Sequence, residues 1–294
     1  MNYKSFLFLI KKILKKLFYI FFYKIIPPNK YIDYLIFLYR FVIAHKRLPK
    51  RKYTFNDEIF FLSVSNIMID PLITFITDKE YGKIFIKSVI GDKYNVKTFA
   101  ILNSKLDIDN YNFPSRCIVK ATHSCNMTQM LTEGTDVKRN ELYNWLDYNY
   151  YNYSREKNYK NLEKKIIVEE IVFDSTEVLD FRFFINDKKI KFIILDFDTL
   201  SDRSRLIYDE NWNELNFSLN YPKSSKNFPK PKNFDEMCEV VTKLASYFAM
   251  QVRIDVYSNG KEIKIGEFSL LHGTGLQQFV PKKAELDHAK LFFN

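Results

Sequence analysis

The closing hairpin constrains this chain more than any other stretch: Arg253-Ile-Asp255-Val-Tyr257, a Ser258-Asn-Gly260 turn, then Gly266-Glu267-Phe-Ser269. Two short apolar runs joined through Asn-Gly are the signature of an antiparallel strand pair. Alternation puts Arg253, Asp255 and Tyr257 on one face and Ile254 and Val256 on the other. Glu267, on the partner strand, can come opposite Asp255. Paired carboxylates beside an arginine, on rigid strands, suit a magnesium–phosphate site. Magnesium takes one or two carboxylates plus phosphate oxygens, and arginine grips phosphoryl oxygens two at a time. A surface hairpin whose charges face water would carry the same residues, so the motif alone leaves both readings open.

The length of 294 residues allows one large domain or two intimate ones. The net charge of +10 is unevenly placed. Residues 1–52 hold 13 Lys/Arg and one acid, Asp33, whereas the remainder holds 32 basic and 34 acidic groups. A nucleic-acid-binding domain carries its basic footprint on the folded body, and this body is nearly neutral. No nucleic-acid partner is therefore expected. Seven Gly against 28 Phe and 20 Tyr, with abundant Lys, Asn and Ile, reads as A/T-rich coding bias. The Tyr/Asn run from Tyr148 to Tyr159 then reads as a tyrosine-rich helix and loop rather than a base-stacking platform. Cys117, Cys125 and Cys238 are odd in number and contain no CxxC pair. Neither a disulfide framework nor a zinc site follows, and a reducing cytoplasm fits.

Residues 3–26 read YKSFLFLIKKILKKLFYIFFYKII. On a helical wheel Lys4, Lys11, Lys12, Lys15 and Lys16 share one arc of about 140°, with Leu7, Ile10, Leu14, Leu17 and aromatics around the rest. The longest uncharged stretch, Leu17–Tyr23, falls far short of the ~20 residues of a spanning helix. Lysines interrupt the apolar run and no small-residue cleavage site is evident, which disfavours a signal peptide. The pattern predicts a basic amphipathic helix on anionic lipid of the inner leaflet, or else one packed on the protein's own core. Pro27-Pro28 ends it. A second apolar helix, about Tyr31–Ala44, and a basic connector, Lys46–Lys52, follow. This gives residues 1–52 as a membrane-surface segment and 53–294 as the main body.

In the body, strands and helices alternate without a Pro/Gly/Ser linker or repeat, as an α+β chain with mainly antiparallel strands in its second half. A helix is predicted over Asp78–Gly91, a strand over Arg116–Ala121 and a helix over Asp136–Tyr151. A strand over Lys165–Phe173 and a hairpin of Phe181–Ile185 with Lys189–Phe197 follow. The last helix runs from an Asn233 cap to about Ala249. Lys120 ends a strand, where it serves either as a phosphate point charge or as a solvated lysine. Glu169-Glu170 sits in an otherwise apolar strand, where a charge needs a partner. A nucleotide hinge or an internal salt bridge would each supply one. Arg182, after Asp180, can meet a γ-phosphate or form a cross-strand ion pair. His123 and His272 have no metal-ligand spacing and stay unassigned. P-loop, GxGxxG and GxSxG motifs are absent from the sequence.

Taken in order, these pieces resemble the ATP-grasp superfamily, and within it the TupA-like branch named for teichuronopeptide biosynthesis. The resemblance covers about Leu48 to Pro281. It rests on Tyr53-Thr-Phe-Asn-Asp57, Asp78-Lys79, Ile118-Val-Lys120-Ala-Thr-His123 and the Trp145…Tyr150-Tyr151…Tyr159-Lys160 block. Val168-Glu-Glu170, Asp180-Phe-Arg182-Phe-Phe184, Lys191-Phe192, Tyr208-Asp209…Trp212 and the closing hairpin complete it. The family's fold implies ATP clamped between two α+β lobes, here approximately residues 53–164 and 165–294, with Mg2+ bridging the phosphates. By the resemblance, Lys120 is the lysine on the α/β-phosphates and Lys83 a second basic position. Glu169, Glu170 and the backbone to Ile171 form the adenine–ribose hinge. Arg182 lies near the γ-phosphate and Arg253 steadies an acyl phosphate. Asp255 and Glu267 hold the metal, with Ser269 where many ATP-grasp ligases have Asn. The loop after Lys120 reads THSCNMTQM where the family is usually glycine-rich.

The implied activity is a carboxylate–amine ligase, with ADP and phosphate as products. It would work on a cell-surface polysaccharide or its precursor, such as a uronic acid, from the inner face of the plasma membrane. Its partners would be ATP, a carboxylate-bearing saccharide, an amine or amino acid, and anionic lipid. Two other classes stand beside it. One is a non-catalytic nucleotide-binding module of capsule assembly, suggested by the glycine-poor loop. The other is a glycosyltransferase, for which Asp196 and Asp198 would be a DxD metal motif.

Overall fold

The computed structural model describes residues 18–173, 179–197, 203–289 and 292. The amphipathic helix predicted for residues 3–26 therefore lies mostly outside the described residues. From Phe21 to Ile25 the chain forms a π-helical turn, and α1 (Lys30–His45) follows. Asn29 caps α1 by accepting the N–H groups of Tyr31 and Ile32 at 3.0 and 3.1 Å, and Lys46, at φ 59°, ends it. Phe37 and Phe41 pack against Phe60 of α2 (Phe55–Val64). Next come α3 (Pro71–Thr77) and α4 (Lys79–Ile90). Asp78 caps α4 and Gly91 ends it, matching the helix predicted there.

Two antiparallel sheets dominate the body. The small one contains β1 (Thr98–Leu102), β2 (Cys117–Ala121), β3 (Thr128–Leu131) and β4 (Ile166–Glu169), in the order β1-β4-β2-β3. Two helices, α5 (Lys105–Asn110) and α6 (Arg139–Asp147), cover its outer face. Leu102, Val119, Ala121, Ile166 and Val168 meet Ile108, Leu142 and Leu146 in that layer. The alternate residues Ile118, Lys120, Ile167 and Glu169 face the other way. The large sheet contains β5 (Leu179–Asn186), β6 (Lys189–Phe197) and β7 (Ser204–Tyr208). A short α7 (Tyr150–Ser154) precedes β4; after β8 (Ser218–Leu219) and α8 (Phe234–Ala245) the large sheet is completed by β9 (Val252–Ser258) and β10 (Ile263–Ser269). Its order is β10-β9-β5-β6-β7, while β8 pairs with β11 (Phe279–Val280) near the closing α9 (Ala284–Asp287). Phe181, Phe183, Ile193, Leu195, Ile254 and Val256 line one face and pack on Phe234, Met237, Val241 and Leu244 of α8. The opposite face is mixed, with Asp180, Arg182, Arg253 and Asp255 beside the buried Phe184, Phe192 and Ile194.

Three expectations are corrected. Helix Asp136–Tyr151 is two helices, because Tyr148 is extended and Asn149 caps a new turn by accepting the Asn152 N–H. The strand Lys165–Phe173 stops at Glu169, so β4 belongs to the small sheet and the chain changes sheets only after it. Asn233 precedes α8 without a side-chain cap; its amide donates to Ser258 Oγ at 2.9 Å instead.

Candidate active site

The strand register of the large sheet assembles a charged face from three strands. Arg182 pairs with Asp255, Phe184 with Arg253, and Asp180 with Tyr257. On the other side Glu267 pairs with Asp255 and Ser269 with Arg253. A β-bulge at Gly266 sets this register. A Cβ on Gly266 would lie 2.8 Å from the Tyr257 ring, so only glycine lets that ring lie across the bulge. Arg253 donates to both oxygens of Asp255, at 2.6 and 2.7 Å, and to Glu267 Oε1 at 3.0 Å. Its remaining Nη1 donates to Nδ1 of the buried His272 at 2.8 Å. Arg182 pairs with Asp180 at 2.9 Å and Asp196 at 2.8 Å.

Burial raises the Asp255 pKa, and the neighbouring Asp180 and Glu267 carboxylates raise it further, against the pull of Arg253 and Arg182. Burial would lower the Arg182 pKa, but Asp180, Asp255 and Asp196 outweigh it and hold the guanidinium charged. Burial and the surrounding arginines keep His272 neutral, with a pKa well below its usual value.

Across the cleft, Lys120 of β2 is 2.8 Å from Glu169, which also pairs with Lys83 of α4. Glu169 is thus the anion between two lysines. Burial alone would raise its pKa, and the two ammonium groups reverse this and hold it below the usual carboxylate range. Glu170 faces away: its carboxylate accepts the Lys97 N–H and its N–H donates to the Lys97 carbonyl, both at 3.0 Å. Ile171 lies just past the end of β4.

Between the two sheets runs an open cleft of about 500 Å3. It brings together Lys120, Arg182, Arg253, Asp255 and Glu267. Lys83 reaches the same Glu169 from the side, while Glu170, Ile171 and Ser269 do not line the cleft. Ser269 borders a smaller neighbouring pocket instead. Asp180, Tyr257 and Arg203 also line the cleft. Alternation alone places Tyr257 on the face of Arg253 and Asp255, but it gives Asp180, Arg203 and His272 no role. Asp180 and His272 meet the cluster only through the β5–β9–β10 register and the Arg253 contact.

The loop after Lys120 is held from several sides. Thr122 Oγ1 donates to Asp78 at 3.2 Å, Lys79 Nζ donates to the Ser124 carbonyl at 2.6 Å, and His123 Nε2 bonds the Trp145 carbonyl at 3.0 Å. Asn126 takes the left-handed conformation at φ 62°. Asparagine tolerates that region far better than other side chains with a Cβ. It supplies the reversal that glycine would otherwise give, and Ser124, Cys125 and Asn126 border the cleft.

The residues fit a divalent cation. Asp180, Asp255 and Glu267 line the cleft, and the Asp255 pKa is raised chiefly by burial and further by the other two. Arg253 holds Asp255 and Glu267 here, and no three His, Cys, Asp or Glu side chains among the described residues are arranged as a ready metal cluster. The cation would therefore draw on Asp255 and Glu267 together with phosphate oxygens. Oxygen donors of this kind suit magnesium. The DxD reading fails on Asp196, whose carboxylate is taken by Arg182, Arg203 and Arg205 at 3% side-chain exposure. Asp198 lies outside the described residues.

Two antiparallel sheets facing each other across a cleft, with lysine on one wall and an Arg-Asp-Glu cluster on the other, define an ATP-grasp protein. The chain belongs to the TupA-like ATP-grasp family, whose model matches residues 63–291. No curated protein matches the sequence. Among solved structures it is similar to D-alanine–D-alanine ligase from Helicobacter pylori, at 15% identity and TM-score 0.40, covering 74% of this chain and 56% of that one. The corresponding ligase from Bacillus anthracis matches at 14% identity and TM-score 0.42, covering 74% and 65%. N5-carboxyaminoimidazole synthase from Aspergillus clavatus matches at 8% and 0.40, covering 69% and 46%. The chain thus spans between 46% and 65% of the length of these three proteins.

Proposed function

We propose that the chain is an ATP-dependent carboxylate–amine ligase that modifies a cell-surface polysaccharide or its precursor. The observation that carries this reading is the cleft itself, where Lys120 faces Arg182, Arg253 and the Asp255–Glu267 pair. A substrate carboxylate oxygen attacks the γ-phosphorus, the β–γ bridging oxygen leaves with ADP, and an acyl phosphate forms. An amine then adds to the acyl carbon, phosphate departs, and the nitrogen loses a proton to give the amide. Lys120 is placed to hold the α/β-phosphates, with Glu169 fixing its ammonium group. Arg182 and Arg253 are placed to meet the charge that builds on the transferred phosphoryl group. Asp255 and Glu267 would hold Mg2+, which supplies charge neutralisation of the phosphates when bound. Glu169 would act from behind the phosphate-binding lysines, with Lys83 steadying it, while Glu170 and Ile171 at the strand end lie outside the cleft.

We place this activity at a membrane surface. Tyr31, Tyr34 and Leu35 of α1 are exposed apolar residues beside the strongly basic segment that precedes the body. No helix among the described residues is long and apolar enough to cross a membrane. Interfacial binding to anionic lipid matches that combination.

Thermal unfolding with Mg-ATP tests the ligase reading. Ligand at 100 times its dissociation constant stabilises the native state by about 2.7 kcal/mol. The expected result is a magnesium-dependent shift that disappears in Lys120→Ala and Glu267→Gln. A folded protein without such a shift would remove nucleotide from this cleft.

A further inference from the structure

One turn of α1 has an outer and an inner face. Tyr31, Tyr34 and Leu35 are exposed, and Asp33 between them is buried. Asp33 Oδ2 accepts the Tyr151 hydroxyl at 2.6 Å. Its Oδ1 has no hydrogen-bond partner among the described residues and lies 4.0 Å from Arg155 Nη1, beyond hydrogen-bond reach. Arg155 is 1% exposed, and its Nε and Nη1 are likewise unmatched among the described residues. Its Nη2 donates to the Phe22 carbonyl at 2.9 Å, with the Tyr23 ring 5.0 Å from the guanidinium carbon.

Arg155 also sits at φ 66°, in the left-handed region that a long side chain enters only at a cost. Buried charges left half-matched are costly too, and a shift of about 1 Å would bring these two to ordinary ion-pair distance. Such a shift has consequences on both sides. Outward it engages the arm, because Arg40 donates to the Ser154 and Tyr153 carbonyls at 2.7 and 3.1 Å. Inward, a 3-10 turn at Lys157–Tyr159 leads from Arg155 to the cleft. Asn158 anchors that turn on Thr77 Oγ1 at 3.0 Å, and the Tyr159 hydroxyl meets Cys125 Sγ at 3.0 Å. Cys125 borders the cleft, and Tyr159 lines an adjoining pocket with Glu267.

We propose that Asp33 and Arg155 form a two-position latch through which anionic lipid on the arm tightens nucleotide binding in the cleft. The proposal rests on the function and the membrane placement given above. Lipid that takes up Tyr31, Tyr34 and Leu35 re-seats the same turn of α1, and Asp33 closes on Arg155. The closed pair steadies the turn at Lys157–Tyr159, Tyr159 steadies Cys125, and the loop after Lys120 is fixed at the cleft. Nucleotide entering a cleft already ordered pays less for ordering it and binds more tightly. The coupling is reciprocal, so Mg-ADP strengthens lipid binding by the same factor. Turnover is thereby favoured in chains already seated on a membrane.

Iodoacetamide labelling of Cys125 in the full chain, read by peptide mass spectrometry, tests this without need of turnover. It is run on phosphatidylglycerol–phosphatidylcholine vesicles and on phosphatidylcholine alone, beside sedimentation and Mg-ADP affinity. On the anionic vesicles, labelling is expected to slow and Mg-ADP to bind more tightly, each by about fivefold or more. The near-isosteric Asp33→Asn removes the latch charge, and Tyr159→Phe cuts the link to Cys125. Both should sediment as the wild type does and lose the change. Failure to sediment on anionic vesicles, or a sedimenting chain with unchanged labelling or unchanged Mg-ADP affinity, would overturn the proposal. So would slowing that survives in either folded variant, which is what simple shielding by the bilayer gives. Lipid-dependent slowing that is lost in Tyr159→Phe, in a chain that does not bind Mg-ADP at all, would support the latch and instead remove the ligase reading.

Discussion

Among the described residues Glu169 is the carboxylate ion-paired with two ammonium groups that are each about five-sixths buried, with side-chain exposures of 15% for Lys83 and 16% for Lys120. Glu169→Gln leaves both charges without a counter-ion and is expected to cost about 3 kcal/mol in urea unfolding, the scale for removing one partner of a buried pair. Lys120→Ala keeps the Lys83 pair and should cost less. Because the native Glu169 pKa is lowered, its contribution is present above the unfolded value of about 4.3 and fades as the pH falls through the native one. His272 gives a separate signature. Below pH ~6.5 the unfolded chain binds a proton that the buried native ring refuses, so stability falls with acidification by up to about 1.4 kcal/mol per pH unit. Asp255, with its raised pKa, acts in the opposite sense. The slope difference between wild type and His272→Asn, measured by urea unfolding from pH 7 to 5, isolates the histidine. An unchanged slope would mean that the native ring takes up the proton.

At the scale of elements, two backbone positions carry the site. Gly266→Ala forces the Tyr257 ring off the bulge and should cost about 1–3 kcal/mol, the range for overpacking. Its Mg-ATP thermal shift should fall as well, because Glu267 follows directly. Asn126→Gly should be tolerated, whereas Asn126→Val, at φ 62°, should cost about 1–2 kcal/mol or more by thermal unfolding. The hairpin of β9 and β10 was legible because alternation and an Asn-Gly turn leave little freedom of register, and Asp255 does face Glu267. The helix over residues 78–91 was legible from its Asp and Gly ends. Elsewhere a local pattern was overridden from a distance. Asn233 looks like a cap, but Ser258 takes its amide. The apolar run beyond Glu169 looks like strand, yet Glu170 already bonds Lys97 and the ladder stops. Asp196 looks like a metal motif, and only the pairing of β6 with β5 and β7 reveals that arginines consume it.

The whole molecule joins its N-terminal arm to the cleft through one shared segment. Tyr151 donates to Asp33 of α1 at 2.6 Å, Arg155 donates to the Phe22 carbonyl at 2.9 Å, and Arg40 donates to the Ser154 carbonyl at 2.7 Å. A few residues on, the Tyr159 hydroxyl meets Cys125 of the cleft loop at 3.0 Å. The arm is therefore tied to the body, while Tyr19, Phe21, Ile25, Tyr31, Tyr34 and Leu35 stay exposed on it beside the basic residues that precede Phe18. Deleting residues 1–17 is expected to abolish sedimentation with anionic liposomes while leaving the Mg-ATP shift intact. Persistent sedimentation would move the lipid contact to α1. The order of the large sheet also governs how the site comes into being during folding. Asp180 and Arg182 lie on the β5–β6 hairpin, whereas Arg253, Asp255 and Glu267 lie on the β9–β10 hairpin. Each hairpin closes locally, but β5 meets β9 only across the long intervening chain, a pairing whose loop-closure entropy is paid late. Neither hairpin alone possesses the constellation. Nascent or truncated chains that end before β9 can collapse and bury apolar surface, yet they have no cleft to fill, so nucleotide can rescue only molecules that have already made the longest-range pairing of the sheet.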